Sequence, residues 1–451
     1  MDAPTRGQRI AAWTSLVCVG LLTVMVFLML VNRPGALLLA VFGLVLLGAG
    51  GWWMVTERGT KRILGIVGLA AALILIIVAL VGSIADAGWS LVVALAVIAL
   101  TALAAGQTRM AVAGSRKVDG VPFDKPRHPV LIANPKSGGG KVAKFGLQQA
   151  AEQQGVEVIM LGPGDDLEQL ARDAIARGAD CLGMAGGDGS QALVASVAIE
   201  HDIPFVCVSA GTRNHFAMDL GLDRDDPAEG IAAFSHGLER RIDYATVGDR
   251  LFVNNVSMGV YATIVQRDSY RDAKLETSLD LLPQLLGEHE EPFDLQFRTP
   301  DGTEVDGAFV VLVSNNPYVL GPKLDVASRR SLTSGRLGVF TISARTGAEA
   351  GRLVARSTFG LARRDPNVHE FTAGEFEVRS RSGTAFAGVD GEALELTTPL
   401  RFAIHPGGLR VRVPEATVGR LRRRWSRDIS IGDLFRVARG RALPDPEVHT
   451  Q

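Results

Sequence analysis

Four uninterrupted apolar runs dominate the first quarter of the chain: Ala12–Val31, Gly35–Val55, Ile63–Gly82 and Trp89–Gly106. None contains a charged residue. Each is roughly 20 residues long, enough to cross a hydrocarbon core at about 1.5 Å of rise per residue. A helix of a soluble bundle keeps a polar face, and these runs have none. A secretory signal has one short apolar core and a small-residue cleavage site, which four successive runs do not resemble. The expectation is a bundle of four transmembrane helices over residues 1–107.

Basic residues orient that bundle. Arg6 and Arg9 precede the first run, Arg58, Lys61 and Arg62 separate the second from the third, and Arg109, Arg116 and Lys117 follow the fourth. The other two loops carry only Arg33 and Asp86. The positive-inside rule then places both ends of the bundle in the cytoplasm, which predicts a multi-pass protein of the cytoplasmic membrane with a cytoplasmic domain after residue 107. Cys18, Cys181 and Cys207 form no CxxC pair, which excludes a disulfide framework and a structural zinc site. Forty-seven basic against 48 acidic side chains leave a net charge of −1, without the basic excess that nucleic-acid binding requires.

Residues 108–127 read as a polar linker. Beyond it, apolar strand-like runs at Pro129–Ala133, Val156–Leu161, Cys181–Ala185 and Pro204–Val208 alternate with helical periodicity over Lys141–Gln154, Leu167–Ile175 and Gln191–Glu200. That order predicts a parallel sheet covered by helices over residues 128–243. The pattern over 244–414 is β-rich. Strands are expected at Leu251–Val256, Phe293–Arg298, Ala308–Val313, Gly338–Ile342, Glu375–Arg379, Thr384–Val389, Leu400–Ile404 and Leu409–Val413, and helices near Tyr261–Leu286 and Gly347–Ala362.

Three of the parallel strands run into small, polar segments. The first gives Asn134-Pro-Lys-Ser-Gly-Gly-Gly140, the second Gly186-Gly-Asp-Gly-Ser190, the third Ser209-Ala-Gly-Thr-Arg-Asn-His-Phe-Ala217. Glycine-rich strand-to-helix turns bring backbone N–H groups close to phosphate oxygens. Each segment read alone also fits an ordinary turn; their convergence on the carboxyl edge of one sheet is what points to a ligand site. The first is not a Walker A loop, since Val142 follows Lys141 and the upstream glycine is absent. Far downstream stands Asp390-Gly-Glu392. Two carboxylates at this spacing suit a metal ligand and a general base, and the same residues suit an Asp-Gly hairpin turn.

In this order, Asn-Pro-x-Ser-Gly, Gly-Gly-Asp-Gly-Ser, Gly-Thr-x-Asn-x-Phe-Ala and Asp-Gly-Glu resemble the diacylglycerol kinase catalytic-domain family, which includes bacterial lipid kinases, sphingosine kinases and ceramide kinases. Asn255-Val-Ser-Met-Gly259 and Ser314-Asn-Asn316 extend the resemblance, which covers residues 128–414. It implies a nucleotide-binding α/β domain like that of phosphofructokinases and NAD kinases, joined to a β-sandwich-like domain that supplies much of a lipid pocket. It further implies that Asn134, Lys136, Ser137, Gly138, Gly186, Gly187, Gly189, Ser190, Gly211, Thr212 and Asn214 line a site for ATP. Asp188, Asp390 and Glu392 would be catalytic, with Asp188 and Asp390 near Mg2+, and base duty lies open between Asp188 and Glu392. Ser190 replaces the family's usual Thr, and His215 stands where many members have Asp. Ser334-Gly-Arg-Leu-Gly338 lacks the carboxylates with which bacterial members hold an accessory divalent ion.

The segment 415–451 is a basic tail. Gly419–Arg441 holds eight arginines and two aspartates, with Trp425, Ile429, Ile431, Leu434, Phe435 and Val437 interspersed. Such a segment suits anionic lipid headgroups; equally, it suits a solvated helix packed on the catalytic domain. The function expected is a membrane-bound kinase passing the γ-phosphate of ATP to a lipid hydroxyl. A dinucleotide or sugar kinase of related fold and a non-catalytic lipid sensor are the alternatives.

Overall fold

The computed structural model describes residues 4–32, 87–112, 120–259, 294–308, 310–320, 326–329, 331–343, 365–417, 420–421 and 431–441, with isolated positions at 42, 46, 67, 349, 352, 353 and 356. The chain divides into two compact units, Met1–Lys117 with Ser426–Leu443, and Val118–Trp425 with the last eight residues.

In the first unit, helices Arg6–Asn32 and Ala87–Val112 carry the first and fourth apolar runs. Buried Ser15 donates its hydroxyl to the Ala104 carbonyl at 3.2 Å and lies 2.7 Å from the Thr108 hydroxyl. Ala11 and Ala12 cluster with Ala111. The start of the first helix therefore lies beside the end of the second, an antiparallel pair whose small contact residues let the backbones approach closely. The second and third expected spans lie outside the described residues, apart from helical positions 42, 46 and 67. Among the described residues, one helical stretch, Arg6–Val24, is long and apolar enough to cross a membrane.

The second unit is built on a sheet shared by both of its lobes. Strands Phe205–Ser209, Cys181–Gly186, Pro129–Ala133 and Glu157–Met160 lie side by side, all parallel. Three of them are buried along their whole length, which explains their continuous apolar runs. The chain leaves Pro129–Ala133 toward one neighbour and returns across it to the other, so this strand marks the switch point of the sheet. Val142, Leu147 and Ala151 pack with Phe234 on one face. Leu167, Ala171 and Ala174 pack with Val194 and Ala198 on the other. Helix Leu167–Ala176 starts where Asp166 accepts hydrogen bonds from the amides of Glu168 and Gln169.

The expected domain boundary lies between residues 243 and 244, inside a strand. Strand Leu238–Val247 runs through it and pairs with Leu400–Val413, which in turn lies parallel to Phe205–Ser209 through Val411 and Arg412. From there the sheet continues antiparallel through Glu375–Ser380, Leu295–Arg298 and Glu304–Ala308. This half packs face to face on a six-stranded antiparallel sheet formed by Val368–Ala373, Leu337–Ile342, Val310–Asn315, Asn255–Gly259, Thr384–Val389 and Glu392–Thr397. Phe297, Phe376 and Phe402 from the first sheet meet Met258, Val311, Val313 and Ala387 from the second in one core. The second lobe is thus a β-sandwich, as expected. The helix expected near Tyr261–Leu286 lies outside the described residues, and that near Gly347–Ala362 is described at 349, 352, 353 and 356 only, all helical.

Candidate active site

The three polar segments meet at the carboxyl edge of the parallel strands and touch through glycines. A Cβ on Gly138 would lie 2.4 Å from the Ala210 carbonyl oxygen, and one on Gly211 would lie 2.5 Å from the Gly187 Cα. Neither position tolerates a side chain, so contact between the segments fixes these residue types. Gly139 and Gly140, by contrast, face open space at φ of 71° and 86°. Asn134 shapes its own turn, its Oδ1 accepting the Lys136 amide at 3.0 Å, while its amide donates to the Ala185 carbonyl of the neighbouring strand. Lys136 and Thr212 are exposed, and Ser137 and Ser190 are half-buried. Asn214 is buried, and its Nδ2 donates to the carbonyls of Ser209 and Gly211, so its amide shapes the third segment from within.

The Gly-Gly-Asp-Gly segment is not a loop throughout. Helix Asp188–Glu200 opens at the aspartate, three residues before the start expected at Gln191, with Gly187 as its N-cap. Gly189 and Ser190 are weak helix formers, which hid the start, and the carboxylate stands in the first turn where the helix dipole favours it. Asp188 accepts hydrogen bonds from the amides of His215 at 3.0 Å and Phe216 at 3.1 Å, one on each oxygen. It thereby holds the start of helix His215–Asp219, and His215 enters the site through its backbone while its side chain is exposed.

Asp390-Gly-Glu392 is at once a hairpin turn and part of the site. Val389 pairs with Glu392, and Asp390 and Gly391 adopt φ of 47° and 90°, a two-residue type I′ connection. The Asp390 carboxylate accepts three amide N–H groups, from Val253 and Asn254 at 2.8 Å and Asn255 at 3.0 Å. Burial, helped by the charge of Asp188, pushes its pKa up to about 7 against these three donors. These three donors occupy both lone pairs of Asp390 Oδ1 and one of Oδ2, which leaves a single position on Oδ2 toward the metal expected near it. Glu392 turns the other way: a Cβ on Gly189 would lie 2.7 Å from its Oε1. Some two hundred residues apart in sequence, Gly189 and Glu392 are neighbours at the head of helix Asp188–Glu200. There Glu392 pairs with Arg250, both half-exposed.

Arg250 escaped sequence reasoning because an arginine after a Gly-Asp turn is unremarkable. Gln191 also escaped it. Its buried side-chain NH2 bonds the carbonyls of Met184, Gly186 and Val208, tying together the ends of two strands, and its one signal was a polar residue among Ala and Val. The Arg329–Asp219 pair, buried on both sides, was likewise illegible. Around Ser334-Gly-Arg-Leu-Gly338 the polar groups are spent on one another: Ser334 donates to Asn316 Oδ1, and the Gly335 amide to buried Asp243. Among the described residues there is no group of three His, Cys, Asp or Glu able to hold a metal ion.

Comparison with known proteins assigns both lobes. Residues 128–247 match the diacylglycerol kinase catalytic domain, and residues 255–413 the YegS C-terminal NAD kinase beta sandwich-like domain. A diacylglycerol kinase of Mycobacterium tuberculosis (strain ATCC 25618 / H37Rv) is 31% identical over 122 residues, 26% of this chain and 40% of that protein. A probable lipid kinase YegS-like of Chromohalobacter salexigens is 28% identical over 158 residues, 34% of this chain and 50% of that one. The chain thus spans about half the length of the curated relatives it matches. The crystal structure of a putative diacylglycerol kinase from Bacillus anthracis str. Sterne superposes with a TM-score of 0.51 at 18% identity, covering 65% of this chain and 98% of that one. That likeness concerns the fold; the two domain matches show a region similar to the diacylglycerol kinase catalytic domain followed by one similar to the YegS C-terminal NAD kinase beta sandwich-like domain.

Proposed function

We propose that the protein is a membrane-held lipid kinase that transfers the γ-phosphoryl group of ATP to the hydroxyl of a diacylglycerol-like or sphingoid-like lipid. The observation that carries this reading is the contact of Glu392 with Gly189, which brings a half-exposed carboxylate from the sandwich to the head of a helix flanked by three glycine-rich segments. The helix opens without a side-chain cap, so its first-turn amides suit phosphate oxygens. Gly139 and Gly140, facing open space, suit close approach of the same group. Glu392 is the candidate base for the lipid hydroxyl, and Arg250 beside it offers positive charge to the transferring group. Asp188, with one amide on each oxygen, keeps lone pairs for a hard cation. This fits Mg2+, which binds through one or two carboxylates together with phosphate oxygens and water. When bound, Mg2+ would neutralise charge on the phosphates.

The membrane part of the reading is supported by the first unit. Ile10, Trp13, Val17, Leu21, Val24 and Phe27 form an exposed stripe along helix Arg6–Asn32, each between 47% and 61% accessible. Such a stripe is costly in water and at home in lipid. A kinase held there, with its catalytic domain on the cytoplasmic side, would meet an acceptor that does not leave the bilayer.

The test is to incubate the full-length protein in mixed micelles with γ-labelled ATP and a panel of diacylglycerol, sphingosine and ceramide. Label should enter one lipid class. Glu392→Gln should lower kcat by about 10²–10⁴-fold, with a much smaller change in the KM for ATP. A folded protein that labels no lipid, or a Glu392→Gln variant with full turnover, would sink the proposal.

A further inference from the structure

The basic tail had two readings, a membrane contact or a helix lying on the catalytic domain. Helix Ile431–Ala438 belongs to the first unit, with the N-terminal helices. Its buried face, Leu434, Val437 and Ala438, packs on Ala11, Ala12 and Ala111, the end of the antiparallel pair at which the first helix begins. Phe435 sets its ring edge-on to Trp13, with centroids 6.3 Å apart, and the Arg439 guanidinium lies 5.7 Å from the Phe435 centroid. Both rings remain partly exposed, Trp13 at 47% and Phe435 at 38%. Around them Arg6, Arg9, Arg436, Arg439 and Arg441 are all exposed, while the acid of this helix, Asp433, is half-buried.

These groups are layered. Arg6 and Arg9 lie just outside the uncharged run, and Trp13 stands at its start, one turn beyond Arg9. Aromatic rings favour the boundary between headgroups and acyl chains, and arginines favour the headgroup level beyond it. Docking of the C-terminal helix at this end adds a second aromatic-and-arginine element beside the first, drawn from the opposite end of the sequence. We propose that helix Ile431–Ala438 is an interfacial helix that binds the anionic headgroups of the bilayer holding the protein. The partner follows from charge: five exposed arginines beside two half-sunk rings fit an anionic leaflet, where each cation near the surface adds to binding. The inference rests on the membrane reading above and specifies the lipid class met by its cytoplasmic face.

The full-length protein is to be placed in lipid nanodiscs of phosphatidylcholine alone, or of phosphatidylcholine with one third phosphatidylglycerol. Cys18, Cys181 and Cys207 are buried, so an environment-sensitive thiol dye on Ile431→Cys reports the helix. Emission should shift to the blue in the anionic discs only, and the shift should vanish in about 1 M salt, where the Debye length is about 3 Å. Joint Arg436→Gln, Arg439→Gln and Arg441→Gln substitution should weaken the response on the order of a hundredfold or more, and the matching Lys variants should keep it. Equal emission in both kinds of disc, or a shift that survives the Gln substitutions, would overturn the proposal while leaving the kinase and the membrane reading intact. A protein that enters neither kind of disc would instead overturn the membrane reading, and this inference with it.

Discussion

Asp390 is held by opposing forces. Three backbone N–H groups favour its anion, while burial and the neighbouring charge of Asp188 favour its acid form, and the balance raises its pKa from 3.8 to about 7. Between those values the folded chain retains a proton that the unfolded chain has released. The stability this group contributes is therefore complete below about pH 3.8 and lost as pH rises through about 7. Asp390→Asn removes the titration at the price of one constant offset, because an amide cannot accept all three N–H groups. The melting temperature of the wild type, measured relative to that variant, should fall between about pH 4 and about pH 8. In an Asp188→Asn background the fall should be shallower, since one cause of the shift is gone. A difference independent of pH would show that Asp390 ionises normally and that Asp188 does not act on it.

At the scale of elements, the short helix His215–Asp219 links the two lobes. Its first amides bind Asp188, and its last residue, Asp219, is buried against Arg329 at 2.7 Å. The same guanidinium donates to the Val253 carbonyl and to Asn254 Oδ1, in the bend whose amides hold Asp390, and to the Asn315 carbonyl. One buried ion pair thus lies between the supports of the two candidate catalytic aspartates. Arg329→Met should cost about 3–5 kcal/mol in denaturant unfolding, because it strands a buried carboxylate, and adding Asp219→Asn should recover part of the loss. A cost below about 1 kcal/mol would show that packing, rather than the pair, joins the lobes. Such elements define what the sequence could and could not disclose. Buried parallel strands were legible because burial on both faces leaves a continuous apolar run. The hairpin at Asp390 was legible because Asp-Gly suits positive φ at both turn positions. The shared sheet was not, because pairing of Leu400–Val413 with Phe205–Ser209 is a contact between distant segments that leaves no periodic trace. Arg250, Arg329 and Gln191 were hidden for a similar reason: each is defined by its partners, and those partners lie in other elements.

For the whole molecule, the proposed kinase activity turns on which side of a bilayer the site would stand, because ATP is held in the cytoplasm. On the membrane reading, the basic residues of the loops would put both ends of the apolar region in the cytoplasm. The antiparallel contact of helices Arg6–Asn32 and Ala87–Val112, with Ser15 against Ala104 and Thr108, independently puts the beginning of one beside the end of the other. An even number of crossings satisfies both. Reporters that fluoresce only in the cytoplasm, inserted between Thr56 and Lys61 or after Arg116, should be bright, and one inserted near Asp86 should be dark. Carbonate washing should leave the full-length protein in the membrane pellet, because burial of apolar helices in lipid is insensitive to pH and salt. A bright reporter at Asp86 together with a carbonate-soluble protein would mean that the helices of the first unit form a soluble bundle. The exposed stripe from Ile10 to Phe27 would then need another protein surface to cover it, and the acceptor lipid would have to be drawn out of the bilayer to reach Glu392.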